Sequence, residues 1–331
     1  MGRARLAHGD ACQALAERQH QRSTSFSTQA STKASASALP LNALFLVLTG
    51  ALIHALWNIA AKKAGGDARF TFFCAVIMFV FWSPLSIWLG WHVVPLWGWL
   101  EWAVIAISGF VHWLYFICLL TGYRKSDLTV VYPVARGSAP LLSSSVAVIV
   151  FGEQFSKLGA LGIAGVVVGV FLVAGGPALF RAAHDPSSRE RIKTGVLWGA
   201  LTGALIASYT ILDAWAVKVL MLSPILFDYW CNVLRIPYSS IAVLRNIPEA
   251  TRLWAQQWKY AVIVGILSPV GYVLVLYAAK IAPVSHVAPA REISMLFAAL
   301  IGGQLLGESD RGLRILGACC IAAGVMALAL G

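Results

Sequence analysis

Five ionisable side chains stand inside stretches of the sequence that are otherwise apolar. They are Arg136, Asp228, Arg235, Arg291 and Glu292. A guanidinium group can bind a carboxylate or phosphate through two parallel hydrogen bonds. A charge near the centre of a bilayer costs roughly 2.5 to 3.5 kcal/mol, so such groups face a protein interior or a wet cavity. Three arginines and two acids leave one positive charge over, which predicts an anionic or zwitterionic ligand, with internal ion pairs as the alternative.

A second set of polar residues recurs at helical spacing. His54, Trp57 and Asn58 are three and four residues apart, which places them on one face of a helix. Tyr209 and Asp213, four residues apart, form a similar pair in a later stretch. Hydrogen bonds between helices would explain any one of these residues. As a cluster they favour the lining of a cavity.

Two prolines stand next to the buried arginines. Pro133 precedes Arg136 by three residues, and Pro289 precedes Arg291 by two. Proline removes a backbone donor and frees a carbonyl group, which is tolerated at membrane depth where the backbone is buried or faces a cavity. We therefore predict helix breaks near the site at Pro133 and Pro289.

Several of these groups could bind and release a proton during a working cycle, because histidine titrates near neutrality. The candidates are His54, Asp213, His286 and Glu292. Proton coupling, exchange and facilitated diffusion are all compatible with them.

The chain is an internal duplication. A shift of 155 residues places Ala135 and Arg136 on Ala290 and Arg291, and 12 of 42 positions from 135 onward are identical. Each copy holds five predicted spans, and an odd number means that the second copy enters the bilayer from the opposite side. This inverted repeat is typical of secondary transporters.

Composition places the chain in a membrane. Apolar residues make up 59% of it, charged residues make up 12%, and the mean hydropathy is +0.76. The net charge of +11 arises from short connectors rather than from a basic stripe, so nucleic acid is not an expected partner. Apolar stretches of about 18 to 25 residues are long enough to cross a bilayer. They predict an all-α fold of ten transmembrane helices, with approximate limits 41–61, 70–90, 98–121, 128–150, 158–176, 194–212, 224–244, 259–280, 285–306 and 313–330.

Four segments are expected. They are a disordered basic and Ser-rich tail at 1–40, a first five-helix repeat at 41–176, a linker at 177–193 and a second repeat at 194–331. Lys and Arg concentrate in the odd-numbered connectors, which predicts that these connectors are cytoplasmic and that both termini lie outside.

Small residues and two acids are also duplicated. Gly162, Gly165 and Gly169 correspond to Gly317, Cys320 and Gly324, which predicts close helix packing between the halves or between two copies of the chain. Glu153 and Glu308 follow the fourth and ninth spans, where we expect each carboxylate to cap the next helix. Six cysteines occur without a Cys-x-x-Cys spacing or a histidine at ligand spacing, so no metal is expected.

The sequences HALWNIAAKK, YRKSDLTVVYPVARGSAPLLSSSVAVIVFGE and APVSHVAPAREISMLFAALIGGQLLGE resemble those of EamA-type transporters of the drug/metabolite transporter superfamily. The likeness covers residues 41–331. It implies a ten-helix bundle around a central cavity between inverted halves. The positions that match the family's cavity are His54, Trp57, Asn58, Tyr115, Arg136, Tyr209, His286 and Arg291.

The expected function is secondary transport of a small polar metabolite, amino-acid-like and anionic or zwitterionic, by alternating access. Its partners would be that substrate, the lipid bilayer and, as coupling ion, protons, in a monomer or homodimer without a cofactor. The expected location is the plasma membrane, with a bacterial inner membrane preferred. The alternatives are an intramembrane enzyme, a channel or a membrane scaffold. An enzyme is not favoured, because motifs such as His-Glu-x-x-His and Gly-x-Ser-x-Gly do not occur.

Overall fold

The computed structural model describes residues 39–65, 67–126, 128–154, 156–173, 189–306 and 311–330. Within these ranges every regular element is a helix, which confirms the all-α prediction. Most of the predicted tail at 1–40, most of the linker at 177–193, and the residues Gly307 and Glu308 lie outside the described residues.

Eleven α-helices and one short 3-10 helix, Val94–Leu96, occur in the described ranges. The α-helices are α1 Leu41–Ala64, α2 Ala68–Gly90, α3 Trp99–Lys125, α4 Leu128–Phe151, α5 Lys157–Val173, α6 Arg189–Lys218, α7 Pro224–Leu244, α8 Ile247–Ile281, α9 Val284–Ala290, α10 Ile293–Leu306 and α11 Arg311–Leu330.

Six of the described helices are long and apolar enough to cross a membrane, namely α1, α2, α3, α4, α6 and α8. Residues 157–173 and 315–330 form shorter apolar helices. The count of ten spans therefore stays a prediction. The predicted ninth span, 285–306, is two helices, α9 and α10. The predicted eighth span starts earlier, at Ile247, because the Asn246 side chain accepts a hydrogen bond from the Glu249 amide and begins the helix there.

The main packing partners come from different halves of the chain. Helix α1 packs against α8, α3 and α4 pack against α6, α2 packs against α7, and α5 packs against α11. Each pair joins a helix before residue 174 to one after residue 188. The two halves therefore form one interlocked bundle.

The duplicated glycines lie between α5 and α11. A Cβ atom at Gly162 would lie 2.8 Å from the Gly324 carbonyl oxygen, and one at Gly169 would lie 2.6 Å from that of Gly317. Only hydrogen fits at these points, so the two backbones approach closely. Of the two predicted roles for this stripe, the described residues show the packing between halves.

Glu153 caps a helix of the other half. We expected it to cap α5, the next helix, and this was wrong. Gly152 ends α4 with a φ of +60°, and the Glu153 carboxylate accepts from the amides of Val284 and Ser285 at 2.7 and 2.8 Å. The Lys218 ammonium lies 3.5 Å from the same carboxylate. The end of α4 is therefore tied to the start of α9 and the end of α6.

Gly324→Ala should destabilise the bundle by about 1–3 kcal/mol, because its methyl group would meet backbone atoms at 2.7 Å across the α5–α11 contact. Gly312→Ala on the same helix is the matched control, since nothing lies within 4 Å of its added Cβ. Melting temperatures in detergent test this. Equal values for the two variants would contradict the packing argument.

Candidate functional site

A cavity of about 210 Å³ lies between the two halves. Side chains of α1 to α4, α6 to α8 and the α9–α10 junction line it. Eight of the eleven predicted site residues are among them: His54, Trp57, Asn58, Tyr115, Arg136, Tyr209, Arg235 and Arg291. The other three, Asp213, His286 and Glu292, are buried and do not line it. A concave site that carries a few convergent polar groups is typical of small-molecule binding.

One buried carboxylate stands between two arginines. Glu292 is 1% exposed, and its Oε2 atom lies 3.2 Å from a terminal nitrogen of Arg136. Its Oε1 atom lies 3.8 Å from Nε of Arg291. The Nε atom of Arg136 is buried without a hydrogen-bond partner among the described residues. With all three groups ionised, this corner of the cavity carries one surplus positive charge.

The regular helix is interrupted at Arg291 and Glu292. The helix α9 ends at Ala290, and the amides of Glu292 and Ser294 bond to carbonyl groups three residues earlier, which forms a tight turn before α10. Pro289 has no amide for the Ser285 carbonyl, and the Ser144 hydroxyl of α4 donates to that carbonyl at 2.9 Å. The break places Arg291 at the cavity wall while its backbone stays satisfied.

The predicted break at Pro133 was wrong, because α4 runs without interruption from Leu128 to Phe151. Pro133 lies in the second turn of this helix, where a missing amide removes a bond only to the first turn and leaves the later hydrogen bonds in place. The two copies therefore differ at this point, since Arg136 extends from a continuous helix and Arg291 from a turn between helices.

Asp213 serves as an acceptor for three surrounding side chains. It is fully buried, accepts from the hydroxyl groups of Ser108 and Tyr272, and has Nε2 of His112 at 3.0 Å. These contacts join α6 to α3 and α8. His112 and Tyr272 reach the cavity in its place. The sequence analysis did not select either residue, although His112 and Tyr115 stand three apart in the third predicted span.

A third polar group follows one face of α7. The amide of Asn232 donates to the Asp228 carboxylate at 3.1 Å, and Arg235 donates to the Asn232 carbonyl oxygen. All three line the cavity. Residues 228, 232 and 235 are four and three apart, so they lie on one face of the helix, and Asn232 bridges the acid and the base.

The charges are balanced but separated. The sequence count left one positive charge over, but Asp213 provides a third acid beside the cavity, so three arginines and three acids cancel if all are ionised. The positive surplus lies at Arg136 and Arg291, whereas Asp213 lies among neutral donors and His112. This polarity fits a zwitterion better than a simple anion.

Aromatic rings complete the wall. Trp57, Tyr115, Tyr132, Tyr209 and Tyr272 line the cavity. The guanidinium of Arg136 lies 6.0 Å from the centre of the Tyr132 ring. Aromatic faces attract cations and pack against organic groups, so the wall suits an organic molecule with an ammonium group.

Residues 41–175 and 193–330 match the EamA-like transporter family. The chain belongs to this family, and it is an integral multi-pass membrane protein of the drug/metabolite transporter type. A solved structure titled "Crystal structure of protein" is 16% identical to it, covers 87% of this chain and 96% of that chain, and has a TM-score of 0.67, which shows a shared fold. No curated protein matches the chain significantly.

Glu292→Gln should lower stability by about 3 kcal/mol, because it leaves both Arg136 and Arg291 without their buried acid, whereas Arg136→Gln should cost less, because Glu292 still lies beside Arg291. The double variant should recover part of the loss seen in Glu292→Gln, since only Arg291 is then left without its acid. Lys193→Gln is the control, because its pair with Glu190 is exposed and screened by solvent, so its loss should change stability little.

Melting temperatures of the four variants in detergent measure this coupling. Single variants as stable as the wild type, or a double variant no better than the worse single one, would contradict a buried ion pair between Arg136 and Glu292.

Proposed function

We propose that this protein is a secondary transporter of a small zwitterionic metabolite, of the amino-acid type, and that it works by alternating access. The observation that carries this proposal is the polarised cavity between the halves, with Arg136 and Arg291 at corresponding positions of the duplication. Membership of a transporter family supports the reaction class.

The proposal includes ten spans arranged as two inverted repeats. The repeats are residues 41–176 and 194–331, and the linker 177–193 joins them. If α9 and α10 together form one broken span, each repeat has five, and an odd number inverts the second repeat. The packing pattern supports this, because the pairs α2 with α7 and α5 with α11 each join equivalent helices. Rocking of one repeat against the other would then expose the cavity to either side.

The substrate carboxylate would bind Arg136 and Arg291 in competition with Glu292. Glu292 already pairs with both guanidinium groups. The substrate carboxylate therefore binds them most strongly when Glu292 moves away or takes up a proton. This competition offers a way for protons to couple to transport. The substrate ammonium group would face the tyrosine rings of the wall, which supply π faces.

The distribution of basic residues supports a membrane orientation. Lys and Arg in the odd connectors favour their cytoplasmic placement, with the bacterial inner membrane as the proposed membrane. A neutral, polarised solute must be desolvated to cross, and a cavity with both charge signs provides partners for that step.

Purified protein in liposomes should take up amino acids faster than their carboxamides or N-acetyl derivatives. A charge-assisted hydrogen bond contributes about 1.5–3 kcal/mol, so loss of the carboxylate should cost roughly 10- to 100-fold in uptake. Arg291→Gln should reduce amino-acid uptake to a similar extent while the protein remains inserted. Radiolabelled uptake with and without a pH gradient measures these effects.

Arg252→Gln is the matched control, because Arg252 is exposed and forms its ion pair with Glu249 of the same helix. It should transport as the wild type does. Equal uptake of amino acids and carboxamides, or wild-type uptake by Arg291→Gln, would contradict the proposed function.

A further inference from the structure

A second cavity, of about 160 Å³, lies beside the first one, among α2, α7 and α8. Its accessible wall is almost wholly apolar, and Leu85, Ile225, Val270, Val273 and Leu274 are among the residues that line it. The central cavity, by contrast, carries three arginines and an acid. Two adjacent spaces of opposite character therefore stand within one bundle.

The two cavities share part of their walls. Met78 of α2 and Asp228 of α7 line both of them, and these residues are only 5% and 6% exposed. Methionine is unbranched and has several accessible rotamers, so it can move aside at little cost. A molecule in the central cavity could thus extend past Met78 into the apolar space, with Asp228 beside it at the junction.

The apolar cavity also holds two polar groups without partners. The indole nitrogen of Trp82 and the hydroxyl of Ser86 are buried and make no hydrogen bond among the described residues. Ser86 is 3% exposed. A buried donor that lacks an acceptor is costly, and native proteins rarely keep one without a use. Both side chains belong to the cavity wall.

We propose that this cavity, which we name the side-chain subsite, receives the apolar side chain of the transported substrate. The inference rests on the proposed function. The carboxylate would bind Arg136 and Arg291, and the side chain would pass Met78 into the subsite. The substrate class is then a bulky neutral amino acid.

Val270→Phe tests the subsite by filling it. Uptake of leucine, methionine and phenylalanine into liposomes should fall at least about 10-fold, since loss of room for a few methylene groups changes discrimination by 10- to 200-fold. Alanine uptake should stay near the wild-type rate, because its methyl group does not reach past Met78. Val168→Phe, on the exposed face of α5, is the matched control and should change neither rate.

Leu85→Ala is the second variant and acts in the opposite direction. It enlarges the subsite, so the ratio of phenylalanine to alanine uptake should rise several-fold. This arm keeps the proposal testable if Val270→Phe fails to fold.

Three results would overturn the subsite. An unchanged leucine-to-alanine ratio in both subsite variants is the result expected if water or a lipid chain occupies the cavity. A parallel loss of alanine and leucine uptake in Val270→Phe, without a gain for phenylalanine in Leu85→Ala, would indicate general damage. A wild-type protein that moves alanine but no bulky amino acid would leave the proposed function standing and remove the subsite, whereas a wild-type protein that moves no amino acid refutes both.

Discussion

A single carboxylate shared by two arginines is the interaction on which the site depends. Glu292 is buried, and it lies within ion-pair distance of Arg136 from the first half and Arg291 from the second. A buried charge is tolerated only when it is paired, so these groups hold the halves in register across the cavity. Because one acid cannot neutralise two bases, the same arrangement leaves attraction for a further anion.

The surrounding structure positions this triad. Glu153 caps α9 from the other half of the chain, Ser144 satisfies the carbonyl group freed by Pro289, and the turn after α9 directs Arg291 to the cavity. Close glycine contacts hold α5 against α11 at another contact between the halves.

The sequence predicted the parts of this account that depend on local rules. Polar residues in apolar stretches identified Arg136, Arg291, Asn58 and Trp57 as candidates, and the structure places them around one cavity. The sequence could not show that Glu153 faces α9, or that Ser108, His112 and Tyr272 enclose Asp213, because those partners are distant along the chain. The effect of a proline also depends on context, since Pro133 stays within a helix while α9 ends one residue after Pro289.

The central claim is that the arginines face water rather than lipid, and thiol labelling tests it most directly. In a protein without its native cysteines, Asn58→Cys stands in the cavity wall, and Leu56→Cys stands on an exposed part of the same helix. A charged thiol reagent should modify Asn58→Cys, and an amino acid should slow that reaction, while Leu56→Cys stays unmodified. Rapid labelling of Leu56→Cys with an inert Asn58→Cys would contradict the account.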